Sequence, residues 1–269
     1  MKKSQKSLIS VVMSVKNGMP YLENAVNSIL NQSYKNFEFI IVDDASDDNT
    51  PNFLNIIKDN RVILIKNKKS LGLAASLNKS LRIAKGEYIA RMDADDISLP
   101  NRIEIQVNFM NNHKTVDLCG TWVALIDQNN NKIGKIHYPI SDKEIKKTLR
   151  KITPLIHPTW LIRSKVFHKL NGYNSDWDFV EDYEFLLRAR KFKMANIPQE
   201  LLLWRSVSSR RSKQDIQKMY LKNFQLKLKY FREGKLDLLY LPNLVRSFIS
   251  TYLFPKKLKI YFNEKARLI

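Results

Sequence analysis

The sequence predicts an α/β fold with a helical extension at its C-terminal end, and three patterns carry that expectation. Short apolar runs alternate with segments of helical spacing as far as Met92. Two of those runs end in carboxylates, Asp43-Asp44 and Asp93-Ala94-Asp95-Asp96. From Arg210 onward, Lys-rich helical segments carrying Leu, Phe and Tyr take over, interrupted by Gly234, Pro242 and Pro255.

In order, Leu8 to Val15 reads as a buried first strand. Leu22, Ala25, Val26, Ile29 and Leu30 then repeat at helical spacing, and the apolar run Phe37 to Val42 closes a β-α-β unit. A second helix is expected over Asn52 to Lys58, a third strand over Val62 to Ile65, a helix over Ala74 to Ala84, and a fourth strand over Tyr88 to Met92. In open α/β sheets ligands bind beyond the carboxyl ends of the strands, so both acidic clusters fall where a site is expected. Past Pro100 a helix runs to about Met110, and Leu118 to Ile126 with Lys132 to His137 reads as a hairpin around an Asn-rich turn. Helices over Asp142 to Arg150 and Asp182 to Lys191, then a closing strand over Leu201 to Arg205, complete the body. The expected division is a catalytic domain over residues 1–209 and a basic, amphipathic extension over 210–269.

Composition narrows the class. With 269 residues, 44% hydrophobic and 10% aromatic, the chain can bury one large core and is not a disordered polyelectrolyte. A single cysteine, Cys119, excludes an internal disulfide framework and suits a reducing, cytoplasmic setting. The basic start Met1 to Ser7 followed by an apolar run superficially resembles a secretory signal, but the run is short and no small-residue cleavage site follows. Residues 210–269 hold 15 Lys and Arg against 4 Asp and Glu, a net +11 out of the chain's +20. Such a surface attracts nucleic acid, anionic lipid or acidic glycolipid alike, and its plainer reading is a solvated tail. Together with apolar stretches such as Leu244 to Phe254 it leads to the expectation of peripheral binding to the cytoplasmic membrane face, with packing on the catalytic body or another subunit as the alternative. The seven glycines form neither a dinucleotide-binding nor a P-loop fingerprint.

Arg91-Met92-Asp93-Ala94-Asp95-Asp96 is the strongest local signal. Three acids on a short loop repel one another unless a cation or a set of donors offsets them. Mg²⁺ and Mn²⁺ are held by one or two carboxylates plus the phosphates of a substrate, so the loop fits such a cation. The plainer reading is a solvated turn whose Asp96 or Ser98 caps the next helix. Asp43-Asp44-Ala45-Ser46 offers acceptors for a base or ribose, or equally an Asx turn.

Taken together, Ser10 to Gly18, Ser28 to Gln32, Ile41 to Ser46, Gly86 to Asp96 and Glu181-Asp182-Tyr183 resemble the family-two glycosyltransferases, inverting enzymes of the GT-A fold. The resemblance covers roughly residues 8–205 and implies a nucleotide-binding, Rossmann-like half with a mixed central sheet. It implies that Ser14 and Asp44 contact the nucleobase, Asn78 lines the nucleotide pocket, Asp93 approaches ribose or diphosphate, Asp95 binds Mn²⁺ or Mg²⁺, and Asp182 is the base. Lys16 stands where many relatives carry an aromatic residue. Arg205 stands near where some carry a histidine, so Arg205 is the expected diphosphate contact. His157, in Ile156-His157-Pro158-Thr159-Trp160, and Glu181 are expected acceptor-side residues, with packed core histidine and helix cap as their plainer readings.

The activity so implied is transfer of a hexose or N-acetylhexosamine from a nucleotide-sugar, with UDP the expected carrier, to a glycan or glycolipid of capsule or lipopolysaccharide. Two other classes remain open from sequence. A glycoside hydrolase can also use opposed carboxylates such as Asp95 and Asp182, but leaves Asp43 and Asp44 unexplained. A basic nucleic-acid binder would explain the charge, but acid clusters at strand ends argue against it, and no nucleic-acid partner is expected.

Overall fold

The structure is a computed structural model and describes residues 6–206 and 215–265. Strands β1 (Ile9–Val15), β2 (Phe37–Asp43), β3 (Val62–Lys66) and β4 (Tyr88–Arg91) pair in parallel in the order β3-β2-β1-β4. Parallel neighbours need crossover connections. Helices α1 (Leu22–Leu30), α2 (Thr50–Asn55) and α3 (Leu73–Ile83) supply them. Successive residues of a strand point to opposite faces, and here Ile9, Val11 and Met13 enter one buried cluster while Val12 enters the other. A sheet covered on both faces explains why these strands are apolar throughout rather than alternating.

Beyond β4 the sheet turns mixed. Strand β5 (Ile97–Ser98), helix α4 (Arg102–Asn112), strands β6 (Leu118–Ile126) and β7 (Lys132–Ile136) and helix α5 (Asp142–Leu149) come next. They are followed by strand β8 (Leu161–Arg163), helices α6 (Ser164–Leu170) and α7 (Glu181–Arg188), and strand β9 (Met194–Arg205). The nine strands among the described residues run β3-β2-β1-β4-β8-β6-β9-β5, with β7 on β6 as the expected antiparallel hairpin. Strand β8 is antiparallel to both neighbours and only three residues long, too short to leave a periodic trace in sequence. Strand β9 begins well before the expected Leu201. Its register against β6 jumps from Ile197 to Glu200, so Pro198 and Gln199 sit in a bulge where a missing N–H is tolerated. Cys119 is buried in β6, where burial pushes its thiol up to about 12, so it behaves as a small core residue.

The expected boundary between residues 209 and 210 lies outside the described residues. Past it come α8 (Ile216–Arg232), α9 (Leu241–Tyr252) and α10 (Lys256–Lys265). They do not trail from the body: Leu226, Tyr230, Leu236 and Tyr240 join the buried cluster that holds Trp160, Phe185 and Leu186. Tyr230 Oη donates to buried Glu184 Oε1 at 2.5 Å, and the Asn243 side-chain amide donates to the Arg150 carbonyl. Helix α9 is turned against its own amphipathicity. Asn243, Leu244, Ser247 and Thr251 face inward, while Val245, Phe248 and Tyr252 are 50%, 48% and 57% exposed. No described helix is long and apolar enough to cross a membrane.

Candidate active site

Strands β1, β2 and β4 run in parallel; β1 and β2 end side by side at Val15 and Asp43, and β4 ends at Arg91, level with Val12, so their following loops leave the same edge of the sheet. The loop after β4 carries Asp93, Asp95 and Asp96, each offering a carboxylate oxygen within 4.8 Å of the others. An all-oxygen set of this kind fits a hard divalent cation such as Mg²⁺ or Mn²⁺. Protein donors already offset part of the charge. Arg91 pairs with Asp93, and the backbone N–H of Arg205 donates to Asp96 Oδ1 at 2.9 Å. Asp96 is fully buried, whereas Asp93 and Asp95 are half-buried and line the adjoining cleft.

Arg205 departs from the expectation that it meets a diphosphate. Its guanidinium is buried and donates to the backbone oxygens of Asp95 at 2.8 Å and Asp127 at 2.7 Å and to Asn130 Oδ1 at 2.6 Å. It also lies over the Tyr21 ring, 4.2 Å from the centroid. Arg205 is therefore a clamp that fixes the acidic loop from behind, and it does not line the cleft.

Asn78 departs as well. Its side-chain Nδ2 donates to the Tyr173 carbonyl at 2.7 Å and its Oδ1 accepts from the Tyr173 N–H at 2.8 Å. Both ends of the amide are thus spent pinning α3 to the loop before α7, away from the cleft. Asp44 does reach the cleft, but its two oxygens accept from Asn67, Ser70, Leu71, Gly72 and Ser76. Five donors fill the acceptor capacity of one carboxylate, so Asp44 holds the loop at residues 67–76 rather than offering a vacant acceptor to a nucleobase. Burial pushes its pKa up, and the hydrogen bonds from Leu71, Asn67, Ser70 and Gly72 outweigh that and hold it below the usual value. Gly72 sits at φ 88°, and a Cβ there would lie 3.0 Å from Asp178 Oδ2, so glycine suits this tight loop.

The opposite wall comes from α7 and the segment before β8. Asp182, in the first turn of α7, is half-buried, and its Oδ1 accepts from the Tyr183 N–H at 2.6 Å. Burial pushes the Asp182 pKa up, while the Tyr183 N–H and the Arg91 charge pull partly against it. Glu181 beside it is buried and lines the same wall. His157 Nε2 lies 2.8 Å from Tyr173 Oη, and its ring meets Trp160 edge-on at 4.5 Å. Burial, with help from Arg91, pushes the His157 pKa well below its ordinary value, so the ring is a neutral, packed imidazole at the rim of the site.

Arg91 opens the acidic motif, but motif reading gives it no role of its own. It occupies an ordinary strand position, yet its buried guanidinium pairs with Asp93 and acts electrostatically on His157, Tyr173 and Asp182. Its Nε and Nη1 have no hydrogen-bond partner among the described residues. A buried, permanently charged arginine where a strand ends at a carboxylate loop was the available signal.

Ser14, Asp44, Arg91, Asp93, Asp95, His157, Glu181 and Asp182 all line one cleft of about 1640 Å³. An acidic, oxygen-rich loop and a carboxylate of raised pKa, drawn from distant parts of the chain, thus share a cavity. That arrangement can hold an anionic leaving group at the loop and a proton acceptor on a separate element.

Comparison with known proteins gives the family and the fold. Residues 10–170 match the family model described as Glycosyl transferase family 2. An uncharacterised glycosyltransferase of Methanocaldococcus jannaschii is 41% identical over 209 residues, which is 74% of this chain and 71% of that protein. A glycosyltransferase of Haemophilus influenzae is 32% identical over 211 residues, 74% of this chain but only 65% of its own length. The Escherichia coli UDP-Glc:alpha-D-GlcNAc-diphosphoundecaprenol beta-1,3-glucosyltransferase WfaP is 43% identical over 107 residues, 40% of this chain and 43% of WfaP. Among solved structures, residues 1–349 of S. aureus TarS in complex with UDP-GlcNAc align with a TM-score of 0.69 at 15% identity, over 97% of this chain and 78% of that one. The mannosyltransferase PcManGT of Pyrobaculum calidifontis, in complex with GDP-Man and Mn²⁺, aligns at 0.65 and 18% identity, over 98% and 74%. The mixed sheet, parallel over its first four strands, is thus a GT-A fold. Because the family model spans more than half of the sequence and the M. jannaschii relative aligns over most of both chains, the chain belongs to glycosyl transferase family 2.

Proposed function

We propose that this glycosyltransferase moves a hexose or N-acetylhexosamine from a UDP-sugar to a hydroxyl of a glycan or glycolipid in surface-polysaccharide synthesis, inverting the anomeric centre. The observation that carries the reading is that Asp95 and Asp182, on separate elements, line one cleft. In this reading Ser14 and the loop held by Asp44 wall the nucleotide, and Asp93, paired with Arg91, faces ribose or diphosphate. Asp95 is the leading protein ligand for Mn²⁺ or Mg²⁺, with Asp93 and Asp96 completing the oxygen-rich surface. When bound, the cation supplies Lewis-acid stabilisation of the departing diphosphate.

A sugar hydroxyl is too weak an acid to ionise at neutral pH, so a carboxylate must accept its proton as the new bond forms. Asp182 serves that purpose, and burial makes it more basic than an ordinary aspartate. His157 and Glu181 border the acceptor side, His157 as a neutral hydrogen-bonding surface. UDP as carrier is favoured by WfaP and by the UDP-GlcNAc complex of TarS, and the GDP-Man complex of PcManGT keeps the base open to test. The setting is the cytoplasmic membrane face, reached through the basic tail and the outward apolar side of α9. The test is nucleoside diphosphate release by the full chain with a panel of sugar nucleotides and Mn²⁺ or Mg²⁺. Binding of no nucleoside diphosphate under any of these conditions would end the proposal.

A further inference from the structure

The cleft does not stop at the acidic loop and Asp182. It continues into an arm between α8 and α9, where Asn223 and Lys227 face Asn243, Arg246 and Ser247. Lys227 is the unusual member. Lysines are almost never this buried unless paired with a carboxylate, yet Lys227 is 4% exposed and no carboxylate lies within ion-pair distance among the described residues. Its Nζ donates to Ser247 Oγ at 2.9 Å and lies 5.3 Å from the centroid of the Tyr183 ring, the residue after Asp182.

The nearby acids are engaged elsewhere. Glu184 is gripped by Arg188 at 2.7 Å and by Tyr230. Asp215 starts the same helix, about 18 Å of helical rise away from Lys227. Burial, with Arg246 adding to it, pushes the Lys227 ammonium down to about 7, the state of a cation held without a counter-charge. Desolvation of this kind is relieved when an anion enters, because the new ion pair forms where water is already excluded.

We infer that the arm at Lys227, Arg246 and Ser247 is a subsite for a phosphate-ester group of the acceptor, placed so that the acceptor's sugar reaches Asp182. The inference rests on the transferase reading of the same cleft. It makes the acceptor a phosphorylated molecule and assigns its anionic part to α8 and α9, distinct from the donor's diphosphate at the acidic loop. The rim of the arm includes Pro242, Val245 and Ile249, so a lipid chain attached to that phosphate would leave across apolar side chains. A soluble sugar phosphate offers the same anionic group without the chain.

The test is calorimetric titration of the full chain, saturated with UDP and Mg²⁺, by geranyl monophosphate, glucose 1-phosphate and geraniol. At least one phosphate ester is expected to bind, with Lys227→Met weakening it roughly tenfold or more while UDP affinity is unchanged. Lys227→Arg is expected to retain most of the affinity. Retained UDP binding shows that the variant is folded. If Lys227→Met does not fold, Arg246→Ala, at an exposed position, carries the test and is expected to weaken the ester by about threefold or more. Preference for geranyl monophosphate identifies a lipid-borne phosphate, and equal binding of glucose 1-phosphate identifies a soluble one. Failure of both esters to bind UDP-loaded protein, or geraniol binding as tightly as its phosphate, overturns the inference. Failure of UDP itself to bind would instead strike the donor assignment.

Discussion

Asp182 answers to two opposed demands. Its folded pKa is raised above the ordinary value of 3.8, chiefly by burial, so the fold favours its protonated form. Any stability it contributes is present below the unfolded pKa and lost as pH rises through the folded one, so at neutral pH the ionised side chain strains the fold it serves. Asp182→Asn is therefore expected to lower turnover by about 10² to 10⁴ while melting no lower than the parent at pH 7. Nucleotide release and thermal melts across pH check both halves. The acidic limb of the parent's rate profile should have its midpoint above 3.8. An unchanged rate in the variant would remove Asp182 as the base. What the sequence showed at this scale followed the reach of the interactions. Asp93, Asp95 and Asp182 stand in short motifs that single them out, and all three line the cleft. Asn78, Asp44 and Arg205 hold partners 95, 27 and 110 residues away, and no local pattern encodes that. Arg91, though part of the acidic motif, is given no role for the opposite reason, since a strand position conceals a charge until the sheet closes over it.

The elements divide along the same line. The parallel half was legible because each strand is a continuous apolar run separated by a helical period. The later half was less so because β8 has three residues and β9 is broken by the bulge at Pro198. The end of that poorly legible strand is what braces the acidic loop, through the Arg205 contacts to Asp95, Asp127 and Asn130. Outer partners of metal ligands typically govern affinity by about 10- to 100-fold. Arg205→Met should accordingly weaken Mn²⁺-dependent UDP binding by roughly tenfold or more, and Arg205→Lys should not restore it, since an ammonium cannot reproduce the guanidinium fork. Titrating UDP affinity against Mn²⁺ measures this. Identical metal dependence in the parent and Arg205→Met would mean that the loop keeps its shape unaided.

For the molecule as a whole, the decisive fact is how the C-terminal helices sit. Their inner residues belong to the enzyme's own core, so deleting everything after residue 206 would expose Trp160 and Phe185 neighbours and is expected to abolish a cooperative melt. Tail deletion is thus a poor test of membrane contact, whereas point changes on the outer face of α9, where Phe248 and Tyr252 also meet the Phe224 ring of α8, leave the inner residues in place. Val245, Phe248 and Tyr252 are each about half exposed, so burying the rest in a bilayer interface is worth roughly 2–4 kcal/mol in all. Arg246, Lys256 and Lys257 add about 1 kcal/mol each against an anionic leaflet. Because the two contributions are comparable, neither alone should hold the protein on vesicles. The parent is expected to sediment with phosphatidylglycerol vesicles, weakly with phosphatidylcholine, and to be released only in part by high salt. Phe248→Ser combined with Tyr252→Ser should reduce recovery several-fold without changing nucleotide release from the donor in the presence of a soluble acceptor. Equal sedimentation of parent and double variant would mean that the outward apolar face of α9 meets something other than lipid.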